Sequence, residues 1–390
     1  MRKWLIGLVL VLVAAAAGFW FSADKETRGL LAALPTDRNV LFWSVDQRDA
    51  AFRAMDRLPF LAETRVIRAG GQVRPLPPGK PLALDFDLDA YMKSQRTAAI
   101  VIVQDGKVRL ERYGLGFDAK GRWTSFSVAK SLTSTLVGAA IRDGAIKSID
   151  DPVTTYIPAM KGSAYDQVSV RQLLTMTSGI RWNEDYGDPN SDVARFNEHK
   201  AEPGVDATVS YMRRLPREAP AGGKWVYKTG ETNLIGVLVS SATKKPLADY
   251  LSEKVWKPFG MEQDANWLLG ATGHEISGCC IQAATRDMAR FGLFILGGGQ
   301  GVLPPDWLAM ATTKQADIGA PGYGYGFQWW TYDDGSFAAQ GIFGQGIFID
   351  PKRRLVIASN SNWPKATDDA KEREREAFYQ AVRLALDAGR

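Results

Sequence analysis

The sequence contains few of the side chains that metal sites and disulfide frameworks require. Among 390 residues there are two cysteines and two histidines. Cys279 and Cys280 are adjacent, which excludes a framework of several disulfides; two small buried side chains are favoured over a bond between neighbours. Zinc sites usually need clustered imidazoles or thiolates, and neither His199 nor His274 has such neighbours. We therefore expect no metal and no other cofactor.

The scarcity of histidine also restricts the kind of hydrolase that the chain can be. A Ser-His-Asp triad would have to use one of the two histidines, and no Gly-x-Ser-x-Gly motif accompanies them. A serine hydrolase with this sequence would need a different base. The sequence also has no Lys/Arg run with interleaved aromatic residues, so nucleic acid is not an expected partner despite the formal charge of +5.

One long apolar run is present, near the N-terminus. Two cations precede residues 4–21, a stretch of 18 residues without charge. Alanine-rich sequence offers a small-x-small cleavage site, whereas Trp4 and Trp20 bracket the run as membrane-interface anchors do. Residues 1–23 are therefore either a signal peptide or a membrane anchor. Both alternatives predict an exported body, periplasmic or anchored to the membrane and facing outside the cytoplasm.

The order of elements predicts an α/β (α+β) fold. Residues 97–113 have the pattern of a β-hairpin around Asp105-Gly106, and several β-rich runs lie between about residue 322 and residue 361. The chain between these regions is mostly helical. The simplest assembly is an antiparallel β-sheet built from both ends, flanked by helices, with an inserted all-α lobe.

The same order predicts the domain boundaries. Residues 24–96 would form an N-terminal extension that packs on the catalytic domain, residues 97–390. Within that domain we expect an α/β lobe from about 97–144 and 271–390, and a helical lobe from about 145–270. Sites tend to form in the cleft between such lobes.

Three Ser-x-x-Lys patterns occur, beginning at Ser22, Ser127 and Ser241, and only the middle one opens an apolar helix directly after a strand and turn. Residues three apart on a helix share one face, so Lys130 can reach the Ser127 hydroxyl. Burial and the positive end of the helix both favour the neutral amine, which can activate the serine by taking its proton. Taken alone, the stretch also fits an N-capping serine beside a solvated lysine.

Two further stretches have features of a site. Tyr227 lies among polar residues and glycines before an apolar helix, where a nearby lysine would lower its pKa and make it a general base. The β-rich run with Gly341, Gly344 and Gly346 can let a substrate lie along its edge, and its N–H groups can supply part of an oxyanion hole. Alone, these features also fit a packed loop aromatic and a set of bulges and turns.

Together these stretches resemble the serine hydrolases of the β-lactamase/penicillin-binding-protein superfamily, in particular its class C-like branch of DD-peptidases, esterases and 6-aminohexanoate-dimer hydrolases. The resemblance covers about residues 98–363 and is carried by SFSVAKSLTSTLVGAAI, IDDPVTTYIP, VRQLLTMTSGIRWNEDY, YKTGETNLIGVLV, ATRDMARFG and GQGIFIDP. It implies a β-lactamase/transpeptidase-like fold. It also implies that Ser127 is the acylated nucleophile, Lys130 its proton partner and Tyr227 the general base and leaving-group acid. The backbone N–H groups of Ser127 and Ile342 would form the oxyanion hole.

Two departures from the family's motifs bear on the substrate. The second motif reads Tyr227-Lys228-Thr229 where Tyr-x-Asn is common, and the third reads Ala339-Gln340-Gly341 where Lys-Thr-Gly or His-x-Gly is common. β-Lactams and peptidoglycan stems present a carboxylate to the third motif. Without a cation there, such anions lose a charge-assisted hydrogen bond worth roughly 1.5–3 kcal/mol. This favours an amidase or esterase that acts on uncharged or differently placed groups, as in the 6-aminohexanoate-dimer hydrolases.

The resemblance also implies substrate-binding residues. In that group a tyrosine of the helical lobe contacts the substrate, and Tyr186 in WNEDYGD has a similar spacing; the alternative is an ordinary loop aromatic. Thr229 and Gly341 of the two motifs are further candidates. Trp329 and Trp330 could both line the cleft, but at least one should belong to the core, and we select Trp330 as the binding residue.

We therefore predict an exported serine hydrolase that cleaves a small-molecule amide or ester through an acyl-enzyme on Ser127. A cell-wall DD-peptidase or β-lactamase is one alternative, but its carboxylate anchor would have to be an arginine that the sequence does not place. A Ser-Asp-Asn second motif at Ser191-Asp192 is disfavoured because Val193 replaces the asparagine. A non-catalytic binding protein on the same fold is the other alternative. The oligomeric state is left open.

Overall fold

The computed structural model describes residues 2–23, 25–58 and 63–389. Residue 24 and residues 59–62, which belong to the predicted N-terminal extension, lie outside the described residues, as do both terminal residues. The strands of the described part are β1 (Thr64–Ile67), β2 (Thr97–Gln104), β3 (Lys107–Tyr113), β4 (Trp123–Thr124), β5 (Ala265–Leu268), β6 (Ile281–Ala283), β7 (Tyr323–Tyr325), β8 (Trp330–Tyr332), β9 (Phe337–Gly341), β10 (Gln345–Asp350) and β11 (Leu355–Ser361).

The helices of the described part alternate with irregular segments over the whole chain. They are α1 (Arg2–Ser22), α2 (Lys25–Ala32), α3 (Val45–Phe52), α4 (Leu88–Ser94), α5 (Val128–Arg142), α6 (Val153–Tyr156), α7 (Val170–Leu174), α8 (Asp192–Glu198), α9 (Ala207–Met212), α10 (Thr229–Thr243), α11 (Leu247–Leu251), α12 (Lys257–Phe259), α13 (Thr285–Leu296), α14 (Trp307–Ala311) and α15 (Asp369–Asp387).

Strands from both ends of the body form one seven-stranded sheet, in the order β3-β2-β11-β10-β9-β8-β7. The pairings in it are antiparallel, and β11 from the C-terminal part pairs with β2 so that Ile357 lies opposite Ile102. The predicted sheet and the predicted hairpin of residues 97–113 are therefore confirmed. The helix predicted after the hairpin is α5, and Gly144, which follows it, has a left-handed φ of +76°.

Both faces of the central strands are covered by helices. Successive side chains of a strand point to opposite faces, so Val101 and Val103 of β2 face the core that α5 and α13 share, whereas Ile100 and Ile102 face the cluster that contains α15 residues. All four side chains are fully buried. This two-sided burial explains why β2 reads as a continuous apolar run instead of alternating apolar and polar residues.

A second, four-stranded sheet has the order β1-β5-β6-β4, and the expectation of a single sheet was incomplete. Strand β5 lies inside residues 145–270, the region predicted to be mostly helical, and it pairs antiparallel with β1 from the N-terminal extension. These two strands have four residues each and are about 200 positions apart in the sequence. Local periodicity is a weak signal for such short strands, because their stability comes from distant partners.

The N-terminal extension packs directly behind the segment that follows β4. The ring of Phe52 in α3 lies 4.9 Å from the ring of Phe126 and 5.5 Å from that of Phe343, measured between centroids. Arg48, which is 4% exposed, donates to the carbonyl oxygens of Trp43 and Trp363. The extension therefore contributes apolar contacts and hydrogen bonds to the region around residue 126.

Helix α1 is long and apolar enough to cross a membrane over Trp4–Ser22, with a mean hydropathy of 2.4, a property that signal sequences share.

Cys279 and Cys280 are joined by a disulfide bond, whereas two separate thiols were favoured from the sequence. Residue 280 has a φ of 76°, a left-handed backbone conformation that the sequence pattern does not show.

Candidate active site

Ser127 lies where the chain passes from β4 into α5. Phe126, just before it, has a φ of 41°, an uncommon conformation for a bulky residue. Its ring is held by the contacts with Phe52 and Phe343, which offset the strain. This strand–turn–helix geometry places Ser127, 8% exposed, at the first turn of the helix and on the wall of a cleft.

Lys130 lies behind the cleft wall and is 1% exposed. Its Nζ donates to the carbonyl oxygen of Gly278 at 2.7 Å and to Oγ1 of Thr229 at 2.9 Å. Burial lowers the pKa of the Lys130 ammonium from 10.5 to about 8, and the negative charge of Glu184 opposes that fall. A substantial fraction of the amine is therefore neutral slightly above pH 7, as a base that activates a serine requires.

Tyr227 contacts both members of the Ser-x-x-Lys pair. Its hydroxyl lies close enough to the Ser127 side chain for that serine to affect its pKa, and Nζ of Lys130 lies 5.3 Å from its ring centroid. Burial raises the pKa of Tyr227 above its usual value, the charge of Glu184 raises it further, and the nearby Ser127 side chain opposes both. The expectation that a cation lowers this pKa was wrong, because Lys130 lies over the ring while burial disfavours the phenolate.

The end of β9 approaches the backbone of the nucleophile. A Cβ atom on Gly341 would lie 2.7 Å from the Ser125 carbonyl oxygen and 3.0 Å from the Ser127 nitrogen, so only glycine permits this approach. Ile342 begins a short 3₁₀ turn immediately afterwards. Ser127, Gly341 and Ile342 all line the cleft.

The cleft has a volume of about 690 Å³ and brings the predicted site residues together. Six of them line it: Ser127, Tyr186, Tyr227, Trp330, Gly341 and Ile342. The other two, Lys130 and Thr229, are connected by their hydrogen bond behind the wall. Of the two neighbouring tryptophans, Trp330 stacks on Tyr227, with centroids 5.6 Å apart, whereas Trp329 is 1% exposed in the core.

Glu184 is a site residue that the sequence reasoning missed. It lines the cleft and accepts hydrogen bonds from the Thr229 N–H at 2.9 Å, from the Tyr186 hydroxyl at 2.8 Å, and from the Thr229 hydroxyl. It also accepts one from the Trp182 indole. The signal was present in WNEDYGD, where the acid stands between two aromatic residues that both bond to it. Only the tyrosine of that stretch was selected, because the family resemblance implies that a tyrosine of the helical lobe contacts the substrate.

Lys228, the middle residue of the Tyr-Lys-Thr motif, does not supply charge to the cleft. It is fully buried, its Nζ lies 4.0 Å from a carboxylate oxygen of Glu231, and it donates to the Val226 carbonyl oxygen at 3.2 Å. It therefore stabilises the loop that presents Tyr227. Within the described part of the chain, no group of three or more His, Cys, Asp or Glu side chains is arranged to hold a metal ion.

Replacing Glu184 by glutamine is expected to shift the pH dependence of turnover. The carboxylate favours the charged form of Lys130, so its removal lowers the Lys130 pKa, and the rise of kcat/KM with pH should move down by about one unit. The measurement is the pH–rate profile with a neutral ester. The matched control is Asp185→Asn, which removes the same charge from the adjacent exposed side chain. An unchanged or upward-shifted profile would contradict this role.

The chain is similar in sequence and in fold to several known proteins. The family model described as Beta-lactamase matches residues 85–381. The 6-aminohexanoate-dimer hydrolase of Paenarthrobacter ureafaciens is 30% identical over 321 residues, which are 77% of this chain and 82% of the relative. A Beta-lactamase of Pseudomonas fluorescens is 26% identical over 188 residues, which are 46% of this chain and 49% of that relative. A Bacillus anthracis structure described as a 6-aminohexanoate-dimer hydrolase superposes with a TM-score of 0.72 at 21% identity, covering 87% of this chain and 93% of the other.

Proposed function

Because the chain belongs to the Beta-lactamase family and is a hydrolase of that serine-dependent family, we propose that it cleaves a small-molecule amide or ester through an acyl-enzyme on Ser127. One observation carries this proposal. Ser127 and Tyr227 line one cleft, and a buried lysine of lowered pKa, Lys130, lies directly behind its wall against the Tyr227 ring. A non-catalytic protein would have no need to keep a costly buried lysine beside a serine.

The geometry supports a division of roles between the lysine and the tyrosine. Lys130, with its lowered pKa, is the group that accepts the proton which Ser127 releases as its oxygen attacks the carbonyl carbon. Tyr227 stays protonated at neutral pH, so its hydroxyl can give its proton to the leaving group and regain one from the Lys130 ammonium, which returns both groups to their starting forms. The N–H groups of Ser127 and Ile342 would stabilise the oxyanion. Water then hydrolyses the acyl-enzyme.

Intact-mass spectrometry tests the acyl-enzyme. The body of the protein is incubated separately with a fluorophosphonate, a p-nitrophenyl ester and a β-lactam. With the fluorophosphonate it should form an adduct that is absent in Ser127→Ala. It should also hydrolyse the ester. A stable β-lactam adduct would move the protein to the cell-wall enzymes. Absence of every adduct, with no turnover, would refute a catalytic role.

We propose further that the body is exported. The support is the charge-free segment 4–21 behind two cations and the exposed apolar surface of α1. After cell fractionation, the full chain should appear in the membrane fraction or, shortened by its leader, in the periplasm. Full-length protein in the cytosol would contradict export.

A further inference from the structure

Two aromatic residues with a left-handed backbone flank the N–H groups proposed to stabilise the oxyanion. Phe126 directly precedes Ser127 and has a φ of 41°. Phe343 directly follows Ile342 and has a φ of 60°. This conformation is an outlier for a bulky residue and persists only where the surrounding structure enforces it. The peptide group between Phe126 and Ser127 carries the Ser127 N–H, so the contacts that hold Phe126 also set the direction of that N–H.

Phe52 of helix α3 packs against both of these rings. Its ring centroid lies 4.9 Å from that of Phe126 and 5.5 Å from that of Phe343. The centroids of Phe126 and Phe343 are 5.4 Å apart, so the three rings form one cluster in which each contacts the other two. Phe52 is fully buried. Because a core packed at normal density leaves side chains little room to move, removal of the Phe52 ring would give the other two rings space to shift.

The position of Phe343 depends on helix α3 in a second way. The Phe343 N–H donates to the Ala366 carbonyl oxygen at 2.8 Å, and its carbonyl oxygen accepts from the Trp363 N–H at 3.1 Å. The guanidinium carbon of Arg48, also in α3, lies 4.4 Å from the Phe343 ring centroid, within the range of a cation–π contact. Arg48 also donates to the Trp363 carbonyl oxygen at 3.0 Å. Helix α3 therefore contacts both the Phe343 ring and the segment that holds its backbone.

The two segments that carry the N–H groups also touch each other directly. Besides its approach to the Ser127 nitrogen, a Cβ atom on Gly341 would lie 3.1 Å from the Cβ atom of Phe126. Any movement of the Phe126 backbone therefore changes its contact with the end of β9. An oxyanion is stabilised only when both donors point at its position from about 2.7–3.1 Å, so small displacements of either segment weaken that interaction.

We propose that Phe52 is a positioning residue for the oxyanion hole, because its ring holds the segments that carry the Ser127 and Ile342 N–H groups in a fixed relative orientation. This rests on the proposed function and adds to it a contribution from the N-terminal extension, which precedes residue 85, where the family match begins. Phe52 is not one of the described residues that line the cleft. Its removal should therefore weaken stabilisation of the transition state and leave substrate binding nearly unchanged.

The experiment compares Phe52→Leu with the wild-type protein, both as the full chain in detergent. Leucine keeps a buried apolar side chain and removes the ring. The kcat for a p-nitrophenyl ester should fall about 10- to 100-fold, with KM changed less than about threefold. A phenylboronic acid forms a tetrahedral adduct with a reactive serine hydroxyl, so its inhibition constant should rise by a similar factor. Titration with a fluorophosphonate counts the active sites, which excludes unfolded molecules from both measurements.

Phe259→Leu is the matched control. Phe259 of α12 is another buried ring, it packs edge-on against Phe294 with centroids 5.4 Å apart, and it is not one of the described residues that line the cleft. This variant should keep the kcat and the boronic acid affinity of the wild type, and thermal unfolding compares the stabilities of the two variants. If Phe52→Leu does not fold, Phe52→Met takes its place, because the flexible methionine side chain adapts to irregular gaps in a core.

Four results would each overturn the proposal: an unchanged kcat in Phe52→Leu, an equal fall in Phe259→Leu, a rise of KM alone, or a fall of kcat without loss of boronic acid affinity. If the wild-type protein neither hydrolyses the ester nor reacts with the fluorophosphonate, the proposed function fails. Crystal structures of the wild type and of Phe52→Leu then test the role of Phe52 separately. The distance between the Ser127 and Ile342 nitrogen atoms should differ by at least about 0.5 Å, and an unchanged distance would refute positioning by this ring.

Discussion

Ser127→Ala should lower the turnover of amide and ester substrates by at least about 10⁴-fold, because removal of an attacking serine leaves only binding and oxyanion stabilisation. The effect should fall on kcat, with KM changed little, since the hydroxyl reacts with the substrate and contributes little to holding it. Steady-state kinetics with a p-nitrophenyl ester measures both kcat and KM. The fold of Ser127→Ala should persist, because only one hydroxyl is removed. Helix α5 and the ring contacts of Phe126, which flank the 8%-exposed side chain, remain in place.

Ser134→Ala is the matched control for this experiment. Ser134 lies on the same helix, is fully buried, and its hydroxyl has no hydrogen-bond partner. Removing that hydroxyl should change neither kcat nor stability by much, and alanine is the better helix former. Turnover that survives in Ser127→Ala would refute the acyl-enzyme. An equal loss in Ser134→Ala would assign the effect to the helix and not to the nucleophile.

Lys130→Met is expected to lower kcat about 10²- to 10⁴-fold, the usual contribution of a positioned base. Burial lowers the pKa of Lys130 to about 8, so wild-type kcat/KM should rise with pH through that value as the ammonium loses its proton. The variant should lose this rise as well as the rate. The measurement is a pH–rate profile between pH 6 and pH 10 for both proteins.

The control is Lys244→Met, because Lys244 belongs to another Ser-x-x-Lys pattern and is exposed. The turnover rate and the pH profile of Lys244→Met should match those of the wild-type protein. A rise through pH 8 that persists in Lys130→Met would assign the titration to another group.

The lowered pKa of Lys130 also affects stability. The unfolded chain holds this proton up to about pH 10.4 and the folded chain only to about pH 8. Unfolded protein therefore binds more protons between these values, and the contribution of Lys130 to stability rises with pH across that window. Below it the charged, buried amine destabilises the fold.

The contrast between Lys130 and Glu184 shows what local sequence can predict. The spacing of three residues that aligns Lys130 with Ser127 is a property of one helix, so the pair could be identified without a fold. Glu184 and Thr229 are 45 positions apart, and their hydrogen bonds exist only because the loop of Glu184 folds over the start of α10. The pairing of β1 with β5 likewise exists only in the folded chain, because the two strands are far apart in the sequence.

The sequence by itself determined the spacing that aligns Lys130 with Ser127, the hairpin of residues 97–113, α5, and the order of the stretches that resemble the family. Each of these depends on a period or spacing within a few residues. Only the tertiary structure decided that Tyr227 keeps its proton and that Glu184 joins the site. The physical reason is that a pKa and the contacts of a site residue depend on burial and on neighbours from distant parts of the chain.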